Sequence, residues 1–245
     1  SPMKPVPDII VVGTDTGVGK SVVSLMLMQL FHDRGYTPFY LKPFQTGCVD
    51  PYDTDSDAAF VYRHTAALKD RDPCPSVIHC YPSAKAPLFA ARDAGQSIHP
   101  DTVQQMIEQK RSDHTPLVVE AAGGLMVPVT DDKTVLDLIP MTQCRPLLAA
   151  RAGLGTINHT LLSIEVLRRR EIDLLGVVFI TSGDTATDPA MVAENMEAIE
   201  IFSGIQVGGV IPMLNDFSAP PAHAYGPLDN ILFKHDATVG FGQSS

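Results

Sequence analysis

The chain has 245 residues, 44% hydrophobic and 19% charged, which suffices for one large α/β domain with its own core, and no Pro/Gly/Ser-rich linker divides it. The formal net charge of −10 speaks against a nucleic-acid or membrane-surface protein, which would carry a basic face, but leaves room for a phosphate ligand held by a few lysines and backbone amides. Cys48, Cys74, Cys80 and Cys144 lack C-x-x-C spacing and read as free thiols in a reducing cytoplasm rather than as a zinc site. No apolar run reaches the roughly 18 residues that a bilayer span requires, and no signal-peptide pattern opens the chain.

Residues 8–13 are apolar and β-branched up to Gly13, as in a buried parallel strand. A loop follows over 14–19. Helical spacing then runs over 20–34 (Val22, Val23, Leu25, Met26, Met28, Leu30) and stops at Gly35. A second strand over 37–41 completes a β-loop-α-β unit. Residues 65–100 hold several prolines and read as loops around one short Ala-rich helix at 84–94. Further strands are expected at 116–120, 146–150, 174–180 and 206–211, and helices at about 156–170 and 191–202. This alternation predicts a doubly wound, mostly parallel sheet flanked by helices, of the phosphate-loop NTPase kind. The expectation is one domain over 1–245, with 1–7 a terminal extension and 216–245, which has no strong period, a less ordered tail.

The chemistry concentrates after the first strand, at Gly13-Thr14-Asp15-Thr16-Gly17-Val18-Gly19-Lys20-Ser21. Backbone N–H groups of such a turn point inward around a phosphate, and the helix N-terminus adds partial positive charge. Lys20 can reach the β- and γ-phosphates, and the Ser21 hydroxyl can ligate Mg²⁺. The common pattern G-x-x-x-x-G-K-[ST] requires glycine at position 14, where this chain has threonine, so Gly13 stands one residue early. Lys42, at the end of the second strand, is expected to face the same crevice, where it can neutralise a transferring phosphoryl group. Asp53, Asp55 and Asp57 form an acidic loop that either caps a helix or holds Mg²⁺. Glu120 ends an otherwise apolar strand, and burial there requires a metal or a partner. The run Gly153-Leu154-Gly155-Thr156-Ile157-Asn158 leads into a helix whose free amides hold an anion, or which Thr156 or Asn158 simply caps. His64, His79 and His114 sit in loops or helix ends and are assigned no chemistry.

Taken together, the phosphate loop, Lys42-Pro-Phe-Gln-Thr-Gly47, Ser56-Asp57-Ala58, Val119-Glu-Ala-Ala-Gly-Gly124, Leu154-Gly-Thr-Ile-Asn-His159 and Gly209-Val-Ile-Pro212 resemble the dethiobiotin synthetases in order and spacing, over roughly residues 8–215. The resemblance implies a cytoplasmic, homodimeric enzyme that closes the ureido ring of dethiobiotin from 7,8-diaminopelargonate, CO₂ (or bicarbonate) and ATP, with Mg²⁺. A carbamate forms on one amine, the ATP γ-phosphoryl passes to it, and the second amine attacks the mixed anhydride. Carried onto this chain, the resemblance makes Lys42 and Lys20 catalytic. It puts the nucleotide on Thr16, Gly17, Val18, Gly19, Lys20, Ser21 and Val22, beside Asp57, Glu120 and Gly123, with Ile211, Pro212 and Met213 near the base. Ser21, Asp57 and Glu120 match the Mg²⁺ ligands. Thr46, Gly155, Thr156, Ile157 and Asn158 match the substrate contacts, the last four across a dimer interface. No nucleic-acid or membrane partner is implied.

The chain departs from the family at three places. Ile180-Thr181 stand where an adenine-reading Asn is expected, Leu88 replaces a polar residue, and Ala121 stands where Gly is common. The competing readings are a cobyrinate-type amidase, a phosphotransacetylase regulatory domain and a MinD- or ParA-like switch ATPase. The amidase needs a glutaminase domain for which there is no room. The switch proteins usually carry a lysine near the start of the loop, where this chain has Asp15.

Overall fold

The computed structural model describes residues 3–182 and 188–234. The first residues of the expected extension (1–2) and the end of the expected tail (235–245) lie outside the described residues. The elements in chain order are β1 (Ile9–Gly13), α1 (Lys20–Asp33), β2 (Phe39–Thr46), α2 (Asp57–His64), β3 (Val77–Tyr81), α3 (Pro87–Asp93), α4 (Pro100–Arg111), β4 (Leu117–Gly124), α5 (Val135–Thr142), β5 (Arg145–Arg151), α6 (Thr156–Arg169), β6 (Gly176–Ile180), α7 (Pro189–Ser203), β7 (Val207–Ile211) and α8 (Gly226–Leu232).

The strands form one seven-stranded sheet in the order β3-β2-β4-β1-β5-β6-β7, and every pairing is parallel. After β1 the chain moves to one side of the sheet, and after β4 it crosses to the other. The crevice between these two directions lies at the carboxyl ends of β4, β1 and β5, where α/β sheets place their ligands. Strand residues alternate between two cores. Ile10, Val12, Val119 and Leu148 pack with α3, α4, α5, α6 and α7 on one face. Ile9, Val11, Val118 and Leu147 pack with α1, α2 and α8 on the other.

The structure differs from the sequence-based expectation at β2, which runs on to Thr46 through Pro43, so Lys42 lies inside the strand rather than after it. Up to Leu41 the strand pairs with β4, and from Lys42 it pairs with β3. Pro43 falls outside both sets of paired residues, so its missing N–H disrupts neither ladder. Besides α8, four elements were not expected. The edge strand β3 is short and only half-buried, with no alternation to reveal it. Helix α2 is brief, and α4 has just Val103 and Ile107 buried. Helix α5 contains Pro140, although it opens with a capping box between Thr134 and Asp137.

Residues 216–234 of the expected tail are ordered as a 3₁₀ turn (Ala222–Tyr225) followed by α8, whose Leu228, Ile231 and Leu232 are buried. Helix α8 lies against β7 so closely that a β-carbon on Gly208 would stand 2.2 Å from the Pro227 carbonyl oxygen. We therefore expect Gly208→Ala to cost about 1–3 kcal/mol through overpacking, read as a lower urea midpoint. An unchanged midpoint would show that this docking is not part of the stable fold.

Candidate active site

The turn after β1 is anchored to β5 by a hydrogen bond from the Thr14 amide to the Ala149 carbonyl (3.1 Å). Gly13 leaves space behind the turn: a β-carbon there would stand 2.8 Å from Val18 Cγ2, so glycine at 13 rather than 14 lets Val18 fold into the core. Gly17 and Gly19 have φ of 72° and 109°, the left-handed conformations that glycine adopts without cost. Gly19 is the N-cap of α1 and supplies no side-chain cap, so the first-turn amides of the helix remain open to a ligand. Lys20 is buried and its Nζ reaches back to the Asp15 carbonyl at 3.4 Å, across the mouth of the turn.

Around this mouth the fold gathers a charged cluster from distant parts of the chain. Lys42 Nζ lies 2.8 Å from Glu120 Oε2 and 2.9 Å from Asp57 Oδ2, and donates also to the Ala121 carbonyl at 3.2 Å. Because Ala121 takes part through its backbone, its methyl group costs the site nothing. The Ser21 hydroxyl is 2.7 Å from Asp57 Oδ1 and 3.2 Å from Glu120 Oε2. Ser56 caps α2 through the Ala59 amide, which leaves the carboxylate of Asp57, at the helix's first position, free for the cluster. Asp53 and Asp55 do not join it: Asp53 accepts from the Asp55 amide in an exposed turn.

Two members of the cluster were not singled out from the sequence. Tyr40, fully buried, donates its hydroxyl to Glu120 Oε1 at 3.0 Å. Gln45, also buried, accepts the Asp57 amide at 2.8 Å on Oε1. Tyr40 had a legible signal, since it precedes Lys42 by two residues and so shares its face of β2. Gln45 had none, because its partner belongs to a helix the sequence did not reveal.

Burial would lower the Lys42 pKa, but Glu120 and Asp57 outweigh it and hold the ammonium above the ordinary lysine range. Lys20 is pushed down, first by burial and then by Lys42. Burial raises Glu120 despite Lys42. It also acts upward on Asp57, but there Lys42 wins and the net shift is downward. The two acids differ because the Glu120 side chain is 1% exposed and that of Asp57 25%. Tyr40 is raised by burial and then by Glu120, so its hydroxyl stays a donor.

Lys20, Ser21, Lys42, Gln45, Asp57 and Glu120 line a cavity of about 390 Å³ together with Thr16, Gly17, Gly19, Val22, Thr46 and Gly123. Val18 is instead buried behind the turn. Gly155, Ile157 and Asn158 line a separate groove of about 580 Å³ on α6 and α7. The N-cap of α6 is Gly155, not Thr156 or Asn158, and the Thr156 hydroxyl bonds to that of Thr160 at 3.0 Å. Ile211 is buried at the end of β7 and Met213 is exposed beyond it, so neither they nor Pro212 reach the cavity. Ile180 closes against the phosphate turn, where a β-carbon on Gly19 would meet its Cγ2 at 3.0 Å. The four cysteines are unpaired, and no described helix is long and apolar enough to cross a membrane.

Among the described residues no group of three His, Cys, Asp or Glu is arranged to hold a metal. Two carboxylates and the Ser21 hydroxyl do converge, and such a sparse, all-oxygen set suits Mg²⁺, which keeps most of its waters. A cleft of this kind, with a glycine-rich turn, two lysines and two acids, is equipped to bind a polyphosphate and stabilise a transferred phosphoryl group.

Comparison with known proteins places the chain. The AAA_26 family model, described as an AAA domain, matches residues 8–221. The ATP-dependent dethiobiotin synthetase BioD of Lysinibacillus sphaericus is 35% identical over 214 residues, covering 85% of this chain and 88% of that one. BioD of Haloferax mediterranei is 39% identical over 210 residues, covering 84% of each. The chain belongs to the dethiobiotin synthetase family. Among solved structures, McdA of Cyanthece (TM-score 0.55, 10% identity, 92% of this chain and 97% of that one) and a ParA family ATPase of Chlorobium tepidum (TM-score 0.53, 16% identity, 92% and 98%) share its fold alone. The likeness to McdA and the ParA family ATPase is thus one of architecture, while the family is settled by sequence.

Removing the cation from this cluster leaves Glu120 buried without its main partner. Lys42→Ala is expected to lose about 3–5 kcal/mol of stability at neutral pH. A carboxyl whose folded pKa lies above its unfolded one destabilises the fold increasingly as pH rises between the two values. The loss should therefore shrink as pH falls toward about 5. Denaturant melts of both proteins across this range check it, and a pH-independent difference would mean that Glu120 does not carry the effect.

Proposed function

We propose that the chain closes the ureido ring of dethiobiotin from 7,8-diaminopelargonate, CO₂ and ATP, and that the cavity at the phosphate turn is where this happens. The observation that carries the reading is Lys42 lying against both Glu120 and Asp57 beside the open amides of α1. Phosphoryl transfer to a carbamate asks for positive charge at both the transferred group and its acceptor, and few other groups are required. A carbamate forms as one substrate amine takes up CO₂. Lys20 and the turn amides hold the terminal phosphates in line with the carbamate oxygen. That oxygen attacks the γ-phosphorus, the bond to the β-phosphate oxygen breaks, and ADP leaves. The second amine then attacks the carbamate carbon and expels phosphate as the ring closes. Lys42 balances the negative charge of the carbamate and of the transferring phosphoryl group.

Ser21, Asp57 and Glu120 would hold Mg²⁺. Bound there, Mg²⁺ would screen the polyphosphate charge and act as a Lewis acid on the transferred group. Thr46 lies at the end of β2 on the cavity wall and suits a substrate contact. The uncapped start of α6, at Gly155 to Asn158, suits the substrate carboxylate. Because that helix start opens onto a different groove, the substrate must reach it across a subunit boundary. A homodimer meets this need, and the exposed Leu154 (93%), Leu162 (57%) and Phe202 (76%) offer an apolar surface for it. The free thiols fit a cytoplasmic enzyme.

Mixing the protein with ATP, Mg²⁺ and bicarbonate should release phosphate only when the diamine is added. Release indifferent to the diamine would assign the site to a simple ATPase. In the same assay Glu120→Gln should raise the Mg²⁺ concentration for half-maximal rate by about tenfold or more. An unchanged metal titration would make Glu120 structural.

A further inference from the structure

Beyond the residues assigned above, the geometry points to Arg151 as a contact for the γ-phosphate of ATP, an inference that rests on the nucleotide reading of the site. Arg151 ends β5, the strand that holds the phosphate turn through Ala149, and stands two residues beyond that anchor. Its side chain turns toward the loop: a β-carbon on Gly17 would stand 3.8 Å from Arg151 Nη2. In the sheet Arg151 pairs with Ile180, the residue that closes against Gly19. The guanidinium is thus placed at the rim of the turn by the same strands that shape it.

The charge of the cluster supplies the second argument. Lys42 and Lys20 balance Asp57 and Glu120, so these four side chains together carry no net charge toward a polyphosphate. Arg34, Arg111, Arg145 and Arg170 each pair with a carboxylate. Arg151, which is exposed, makes no hydrogen bond or ion pair among the described residues. In a protein of net charge −10 it is a cation without a partner among the described residues, beside the turn that leads into the uncapped start of α1. A guanidinium presents N–H donors in a planar fork that matches two phosphoryl oxygens at once, and at the rim it would meet the charge that grows on them during transfer.

The test is equilibrium binding of Mg²⁺ complexes of ADP and of a non-hydrolysable ATP analogue, by calorimetry, to wild type, Arg151→Ala, Arg151→Lys and Lys20→Ala. Arg151→Ala should weaken the ATP analogue about tenfold and ADP by less than about twofold, with partial recovery in Arg151→Lys. Its thermal midpoint should match wild type, since the exposed side chain has no hydrogen bond or ion pair to lose among the described residues. Equal weakening of both nucleotides would give Arg151 a role in shaping the loop and overturn the assignment, as would no weakening at all while Lys20→Ala binds poorly. If wild type binds neither nucleotide, or Lys20→Ala binds both normally, the nucleotide site itself falls and this inference goes with it.

Discussion

The ammonium of Lys42 holds the site together. It lies between Glu120 on β4 and Asp57 on α2, and it comes from β2, so three separated stretches of chain meet on one charge. Each of these groups would be costly to bury alone, and burial is tolerable because they are buried together. The Tyr40 hydroxyl and the Ser21 hydroxyl satisfy the remaining carboxylate oxygens. The result is a preorganised polar floor beside the uncapped start of α1, an arrangement suited to electrostatic stabilisation of a transferring phosphoryl group.

The sheet serves this cluster by topology. Strands β4 and β5 flank β1, and the chain's change of direction there opens a crevice at their carboxyl ends. The same three strands carry Glu120, the phosphate turn and, at the end of β5 beside Gly17, Arg151. A fold shared with McdA and a ParA family ATPase at 10–16% identity therefore says nothing of the reaction. The sequence likeness to dethiobiotin synthetases, and not the fold, separates this chain from the ParA family ATPase.

Much of the site was legible in the residues themselves. The glycines and Lys20-Ser21 declare the phosphate turn because few other structures require that spacing. Glu120 announced itself as an acid at the end of an apolar strand. Lys42 is legible in the sequence but its strand reads too short, since Pro43 signals an end to β pairing and only the switch from β4 to β3 shows why pairing continues. Asp57 could not be told from Asp53 and Asp55 by local pattern. Its selection depends on Ser56 capping α2 and on Gln45 holding its amide.

The local order of strand, glycine turn and helix, the alternation that implies a parallel sheet, and the class of chemistry were all determined by the amino-acid sequence, because they depend on backbone sterics and on periodicity over a few residues. The tertiary structure alone decided which acid joins Lys42, that Tyr40 completes the carboxylate, that an edge strand extends the sheet, that residues 226–232 close it as a helix, and that the start of α6 opens onto a separate groove. Those outcomes depend on pairing between residues tens to more than a hundred positions apart, where burial and charge are settled by the assembled fold rather than by neighbours along the chain.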